Sequence, residues 1–443
     1  MRSYLILGMC ALFLVEYFVE LEWLQLVVVG LSLFAFLGSA FKADRFPRLL
    51  GIIMMTAGII IEWRKGTGVQ GISDGLFLIL PLICLLTLAP LLSIPLRLSG
   101  YFESIAALLR NLMHQPKKLY AGITGTLFLL APVLNLGSVR ILNEFFGEIK
   151  LPSAMSAKSY LVGFSTAVMW SPYFASVSLV LHYLNISFKG YILYGMGLSI
   201  LSLVVGNILF ALWEKRHPLS EELTPEAPLE KEHRLQMMKL VLFVVILMSA
   251  CLVVENFTHW SMIVIVCLMS ILVPAGYGVI SKGWKRMASP LVDFRDRTVP
   301  MMNNEIMLFM SAGMLAFAMK GTNAANGVST FLGQLANQSF ILFALAVMLI
   351  VLSITYMGIH QIAAVGALAM QLNPAELGMS NIGLALLLLL TWSISTALSP
   401  FSGLNLMVSR FAGISGVQTG LRANGLHLSI IALIGIAIIS FIG

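Results

Sequence analysis

Apolar residues in this chain run in long unbroken stretches and do not alternate with polar ones. Residues 24–41, 76–96, 239–254 and 381–398 are almost free of charge. Each approaches or exceeds the roughly 20 residues that cross a bilayer as a helix. Runs of this length with no period of two predict helices, not strands. The expected fold class is all-α, a polytopic membrane protein with about eleven transmembrane helices plus two shorter re-entrant hairpins. Residues 3–19 have the apolar character of a signal peptide. Glu16, Glu20 and Glu22 follow where small residues would mark a cleavage site, so the segment is expected to be a first transmembrane helix. The only long polar stretch is 214–236, which carries Pro218, Pro225 and Pro228 among mixed charges and is expected to be a cytoplasmic linker.

Composition agrees with the pattern. Of 443 residues 59% are hydrophobic and 11% charged, with a net charge of +7; soluble chains carry about 25% charged residues. The basic residues form no stripe with interleaved aromatics, so nucleic acid is not an expected partner. They cluster instead in the short loops around 42–48, 97–118, 214–236, 282–297 and 410–422. All of these can be cytoplasmic at once, which places the N-terminus in the cytoplasm and the C-terminus outside, in a cell membrane. Arg64 and Lys65 are the one basic pair left outside. The scheme requires 119–145 to enter from the cytoplasm and return, and 338–373 to enter from outside and return, either as a re-entrant hairpin or as two full spans. Cys10, Cys84, Cys251 and Cys267 all fall in apolar runs without metal-ligand spacing and read as packing residues.

The midpoint linker prompts a comparison of the halves. In the first, Leu134-Asn-Leu-Gly-Ser-Val-Arg-Ile is followed by Ser165-Thr-Ala-Val-Met-Trp-Ser-Pro-Tyr. In the second, Tyr356-Met-Gly-Ile-His-Gln-Ile is followed by Ser395-Thr-Ala-Leu-Ser-Pro-Phe. Gly137 and Gly358 are 221 positions apart, and Pro172 and Pro400 are 228 apart. Proline cannot donate to the helix ladder, so each Ser-Pro predicts a break inside an apolar span. Open backbone survives in lipid only where it is buried or lines a cavity, and paired breaks in two halves point to a transport site. The expected organisation is an extra helix at 1–23 and a first repeat at 24–213, with hairpin 119–145 and broken helix 159–184. After the linker comes an inverted second repeat at 237–443, with hairpin 338–373 and broken helix 381–409.

This order of hairpin, broken helix and closing helix resembles the ion transporter superfamily, and within it the divalent anion/sodium symporters. The stretch from Leu308 to Gly321 and the following Gly327-Val-Ser-Thr-Phe-Leu-Gly look like that family's glycine-rich span. The resemblance implies scaffold domains forming a homodimer, transport domains that move as elevators, and sodium coupling. The family's Ser-Asn-Thr hairpin tips are altered here to Asn135, Gly137 and Ser138 in one half and to Gly358, Ile359 and His360 in the other.

The expected function is secondary active transport of a small anionic solute, coupled to sodium or protons, with no enzymatic activity and no bound cofactor. Expected solute contacts are Asn135, Gly137, Ser138, Arg140, Ser171, Pro172, Gly358, His360, Ser399, Pro400, Ser402 and Asn405. A sodium ion is expected near Asn135, Ser138, Thr166, Thr396 and Asn405. Arg140, in a long apolar stretch, either receives the anion by forked hydrogen bonds or pairs with Glu144 four residues on. His360 either carries a proton or is a neutral ring bonded to backbone. Glu305 either lines the pathway or sits at a cytoplasmic helix start, favoured by the dipole. Two other readings are a membrane enzyme or assembly factor acting on lipid-linked substrates, and a passive channel. HExxH and P-loop motifs are absent, which disfavours zinc-dependent hydrolysis and ATP-driven pumping.

Overall fold

A computed structural model of the chain describes residues 2–146, 151–219, 231–281 and 283–442. Helices make up almost all of it, and there are no strands among the described residues. The chain begins with α1 (Arg2–Val19), α2 (Glu22–Ala40), α3 (Arg45–Arg64) and α4 (Gly68–Leu98), the last running through a 3-10 turn at Ala89–Leu92. A short amphipathic helix, α5 (Tyr101–Asn111), precedes a hairpin of α6 (Pro116–Leu134) and α7 (Leu136–Phe145). A helix in two pieces follows, α8 (Ser153–Ala167) and α9 (Ala175–Tyr183), and α10 (Phe188–Arg216) closes the first half.

The second half repeats the order. It runs α11 (Lys231–Thr258), α12 (Met262–Ile280), α13 (Trp284–Asp293) and α14 (Asn303–Met319), then a surface helix α15 (Asn323–Gln338). The hairpin of α16 (Phe340–Tyr356) and α17 (Gln361–Gln371) comes next, then the broken helix α18 (Asn381–Leu398) and α19 (Gly403–Ala412), and finally α20 (Ala423–Ile442). Between α10 and α11 the polar segment is shorter than the expected 214–236, because both helices extend into it; its residues 220–230, and residues 147–150 after the first hairpin, lie outside the described residues.

Nine helices among the described residues are long and apolar enough to cross a membrane, against about eleven expected. The other two candidates are α8–α9, whose break leaves pieces of 15 and 9 residues, and α14, which has 17. The shorter arms of the hairpins, α7 and α17, have 10 and 11 residues. At 1.5 Å per residue they span roughly 15 Å, half a hydrocarbon core of about 30 Å. Neither short arm by itself has the length of a full span.

Burial separates a centre from a rim. The broken helix Asn381–Ala412 is 89% buried along its apolar window, whereas Lys231–Thr258 is 28% buried. Every residue from Gly383 to Ala397 is buried, so α18 has no exposed face, and the hydroxyls of Ser393, Ser395 and Thr396 bond to backbone inside the protein, as a core helix requires. The rim helices expose large apolar side chains such as Leu193, Phe257 and Ile280, which suits contact with lipid tails. At the centre, Ser393 Oγ donates to Ser165 O at 2.8 Å. These two positions are 228 residues apart, the same shift that relates Pro172 to Pro400. The two broken helices, one from each half, thus touch each other at the centre.

Several lateral contacts are single polar ties. Arg2 donates to Gly38 O and Pro300 O, joining the start of α1 to the end of α2 and the turn before α14. Lys65 pairs with buried Glu62 at 2.9 Å and donates to Lys320 O, so this outlier among the basic loops is held by an ion pair. Asn207 on α10 donates to Thr124 Oγ1 on α6. All four cysteines are free and buried.

Candidate functional site

Both helix breaks follow from proline and are closed by the same kind of repair. In a continuous helix the residue at 172 would donate its N–H to Val168 O, and the residue at 400 to Thr396 O; proline supplies neither. Ser176 Oγ takes Val168 O at 2.8 Å, and Ser402 Oγ takes Thr396 O at 2.6 Å. Further bonds cross each break: Ser178 Oγ donates to Pro172 O, and Asn405 Nδ2 donates to Ala397 O at 3.0 Å. The serine before each proline accepts from the backbone two residues on, Ser171 Oγ from Tyr173 N and Ser399 Oγ from Phe401 N. Ser399 also donates to Thr355 O of α16 at 2.9 Å, which fastens the second break to the second hairpin.

Each hairpin turns on a positive φ. Asn135, at φ 50° between α6 and α7, accepts from Leu136 N through Oδ1 at 2.8 Å, while its carbonyl receives Ser138 Oγ at 2.6 Å. Its ψ of −137° lies outside the left-handed helical region that asparagine commonly visits, so the tip is strained and these two bonds hold it. Gly358 turns the second hairpin at φ 86°, and a Cβ there would lie 3.2 Å from Phe46. His360 then caps α17, its Nδ1 accepting from Ile362 N at 3.2 Å. A neutral ring bonded this way carries its proton on Nε2. Phe309 and Trp392 approach the imidazole edge-on, with centroids 5.2 and 6.4 Å away.

Tips and breaks converge on one cleft of two lobes. A lobe of about 280 Å³ is lined by Gly358, His360, Gln361, Ser399, Ser402 and Gly403, with Phe46, Asn304 and Thr355 among its walls. A lobe of about 320 Å³ is lined by Asn135, Gly137, Phe174, Ala175, Ser176, Trp392 and Thr396. Leu136, Glu305, Phe309, His360, Gln361 and Gly403 border both. Four short helices therefore begin at the cleft: α7, α9, α17 and α19. The first N–H groups of a helix lack intrahelical partners and carry the positive end of its dipole, so this cleft is a ready receiver of negative charge without any basic residue.

Of the expected solute contacts, Asn135, Gly137, Gly358, His360, Ser399 and Ser402 line the cleft. Ser138, Ser171 and Asn405 are wholly buried beneath it, and Pro172 and Pro400 shape the breaks without lining it. Arg140 is elsewhere: its Nε pairs with Glu144 Oε1 at 3.0 Å, both side chains being more than half exposed. It faces outward from a short helix, and such pairs are worth little in solvent. No lysine or arginine lines either lobe. Glu305 lies in the first turn of α14 and on the wall of both lobes.

The five residues expected near sodium differ in what they leave open. Ser138 and Thr166 donate to carbonyls of their own helix turns, Asn135 O and Gly163 O. Thr396 Oγ1 accepts from Gln361 Nε2 and donates to Trp392 O, both at 2.8 Å. Asn405 Nδ2 serves Ala397 O and Gly416 O, and its buried Oδ1 has no donor among the described residues. That oxygen is the one amide oxygen of this set available to a cation. No group of three or more His, Cys, Asp or Glu with metal-site geometry occurs among the described residues.

Sequence reasoning did not single out Gln361, Phe309 or Trp392. Gln361 follows the tip sequence directly, but glutamine in an apolar helix carries no signal until its cross-helix bond to Thr396 is seen.

No protein-family model matches the chain, and no curated protein matches it. Among solved structures, the fold is similar to that of the YdaH transporter of Alcanivorax borkumensis, whose crystal structure is described as having an unusual topology. The similarity has a TM-score of 0.52 at 15% identity and covers 80% of this chain and 85% of that one. At this identity the likeness is one of fold: the chain has the fold of a polytopic membrane protein of that architecture.

Proposed function

We propose that this protein is a secondary active transporter for a small solute bearing an anionic group, bound in the two-lobed cleft. The observation that carries the reading is the convergence of four half-helix N-termini, two from each half, on one cleft bordered by both hairpins. Discontinuous helices ending at a shared site are the arrangement by which transporters hold a solute near mid-membrane. The anionic group lies against the N-termini of α7, α9, α17 and α19; no arginine is required. The likeness to the YdaH transporter supports transport as the general activity.

In this reading both hairpins are re-entrant, entering and leaving on one side, and the two halves are therefore inverted. Each hairpin moves together with the broken helix it touches, while the lipid-facing helices, paired with those of a second copy, stay fixed. That is an elevator type of alternating access. The driving ion is sodium at the second break, where Asn405 Oδ1 is available, or a proton.

Uptake into proteoliposomes tests the reading, with sodium and proton gradients imposed separately over a panel of carboxylates, oxyanions and amino acids. Accumulation of one solute above its equilibrium level under one gradient is the expected result. Absence of gradient-driven flux for every solute would refute it.

A further inference from the structure

Resting on the transporter reading, we propose that the solute is a zwitterion. Its anionic group meets the helix N-termini, and its cationic group meets the Glu305 carboxylate and the Gln361 amide oxygen.

The cleft offers both signs of charge. The four helix starts supply the positive one. Glu305 borders both lobes, is exposed, and has no ion-pair partner among the described residues. Its own position in the first turn of α14 explains why a carboxylate is tolerated there, but not why it faces the space between two hairpin tips. Asp44 adds a second negative charge nearby: its carboxylate and N–H both bind Asn304, which lines the smaller lobe. A solute that brought only negative charge would meet these carboxylates with nothing to offset them.

Gln361 gives a second, independent pointer. It is 4% exposed and borders both lobes. Its Nε2 is committed to Thr396 Oγ1, which fixes the amide and leaves Oε1 as an acceptor with no protein donor among the described residues. That oxygen opens onto the cleft, where a ligand can donate to it. An ammonium group has three donors and no acceptor, which matches a carboxylate beside a fixed amide oxygen. Phe309 lines both lobes, Trp392 the larger and Phe401 the smaller, which gives the cleft apolar walls suited to an aromatic side group.

Three compounds with the same ring and different charges decide the matter: phenylalanine, phenylacetate, which lacks the amine, and phenethylamine, which lacks the carboxylate. Calorimetric titration of the purified full chain should show phenylalanine binding at least tenfold tighter than either relative. Glu305→Gln should lower phenylalanine affinity at least tenfold while leaving phenylacetate unchanged or tighter, and Glu305→Asp should retain most of the preference. Should Glu305→Gln fail to fold, the wild-type series alone still decides. Equal or tighter binding of phenylacetate, tightest binding of succinate, or no binding of phenylalanine at millimolar concentration would each overturn the proposal. Gradient-driven succinate flux without phenylalanine binding would leave the transporter reading standing and remove this one. Phenylalanine binding without any gradient-driven flux would do the reverse.

Discussion

At position 405 an amide performs a task that neither a hydroxyl nor an alkyl side chain can. Its two N–H groups reach Ala397 O and Gly416 O, both at 3.0 Å, from a wholly buried position. The surrounding backbone leaves no slack: a Cβ at Gly420 would lie 2.7 Å from Asn405 Nδ2 and 2.7 Å from Leu398 O. Asn405→Ala strips both carbonyls of their donor, and each orphaned buried group costs about 1–3 kcal/mol. Thermal unfolding in detergent should therefore show a loss on the order of 2 kcal/mol or more, while Asn135→Ala, whose amide serves one exposed N–H, should lose clearly less. Residues of this kind were legible from the sequence as polar groups near a proline, but their partners were not. Arg140 shows the converse. The sequence left it open between an anion contact and a pair with Glu144, and the side chain projects from a ten-residue helix into that exposed pair. Periodicity around a turn that has no sequence signature cannot tell which face such a residue takes.

Each broken helix acts as a unit, because the group a proline leaves free is the group a later serine takes. Ser402 Oγ donates to Thr396 O and also accepts from Asn405 N. Ser402→Ala should destabilise the protein by about 1–3 kcal/mol through the orphaned carbonyl. Pro400→Ala restores an N–H able to take Thr396 O, so Pro400→Ala/Ser402→Ala should be less destabilised than the sum of the two single variants. A double-mutant cycle reads this coupling directly; strict additivity would show that proline and serine are not linked through that carbonyl. The breaks themselves were visible in the sequence, since proline acts locally. Their repair was only partly visible: serines at 176, 178 and 402 are ordinary residues until tertiary geometry assigns them a carbonyl. Each short arm, α7 and α17, leads away from a tip the sequence marked, Asn135 in the first half and Gly358 in the second.

For the whole molecule, duplication is what makes the site. Neither half closes the cleft alone: the first contributes Asn135–Gly137 and Phe174–Ser176, the second Gly358–Gln361, Ser399 and Ser402–Gly403. Matching breaks 228 positions apart foretold that the halves would meet, because a paired interruption is recorded in the sequence itself. That Phe309 and Trp392 would complete the walls was not foreseeable, because no local pattern specifies which of their neighbours they pack against. The central claim is the meeting of the two halves at the hairpin tips, and one close approach exposes it to test. A Cβ at Gly403 in the second half would lie 3.3 Å from Leu136 Cδ1 in the first. Leu136→Cys/Gly403→Cys, in a chain with a protease site inserted in the segment between α10 and α11, should form a disulfide or short cross-link in the membrane. After oxidation and cleavage, the two halves should migrate as one full-length band that separates on reduction. Two half-length fragments in the oxidised sample would contradict the convergence on which this account of the site depends.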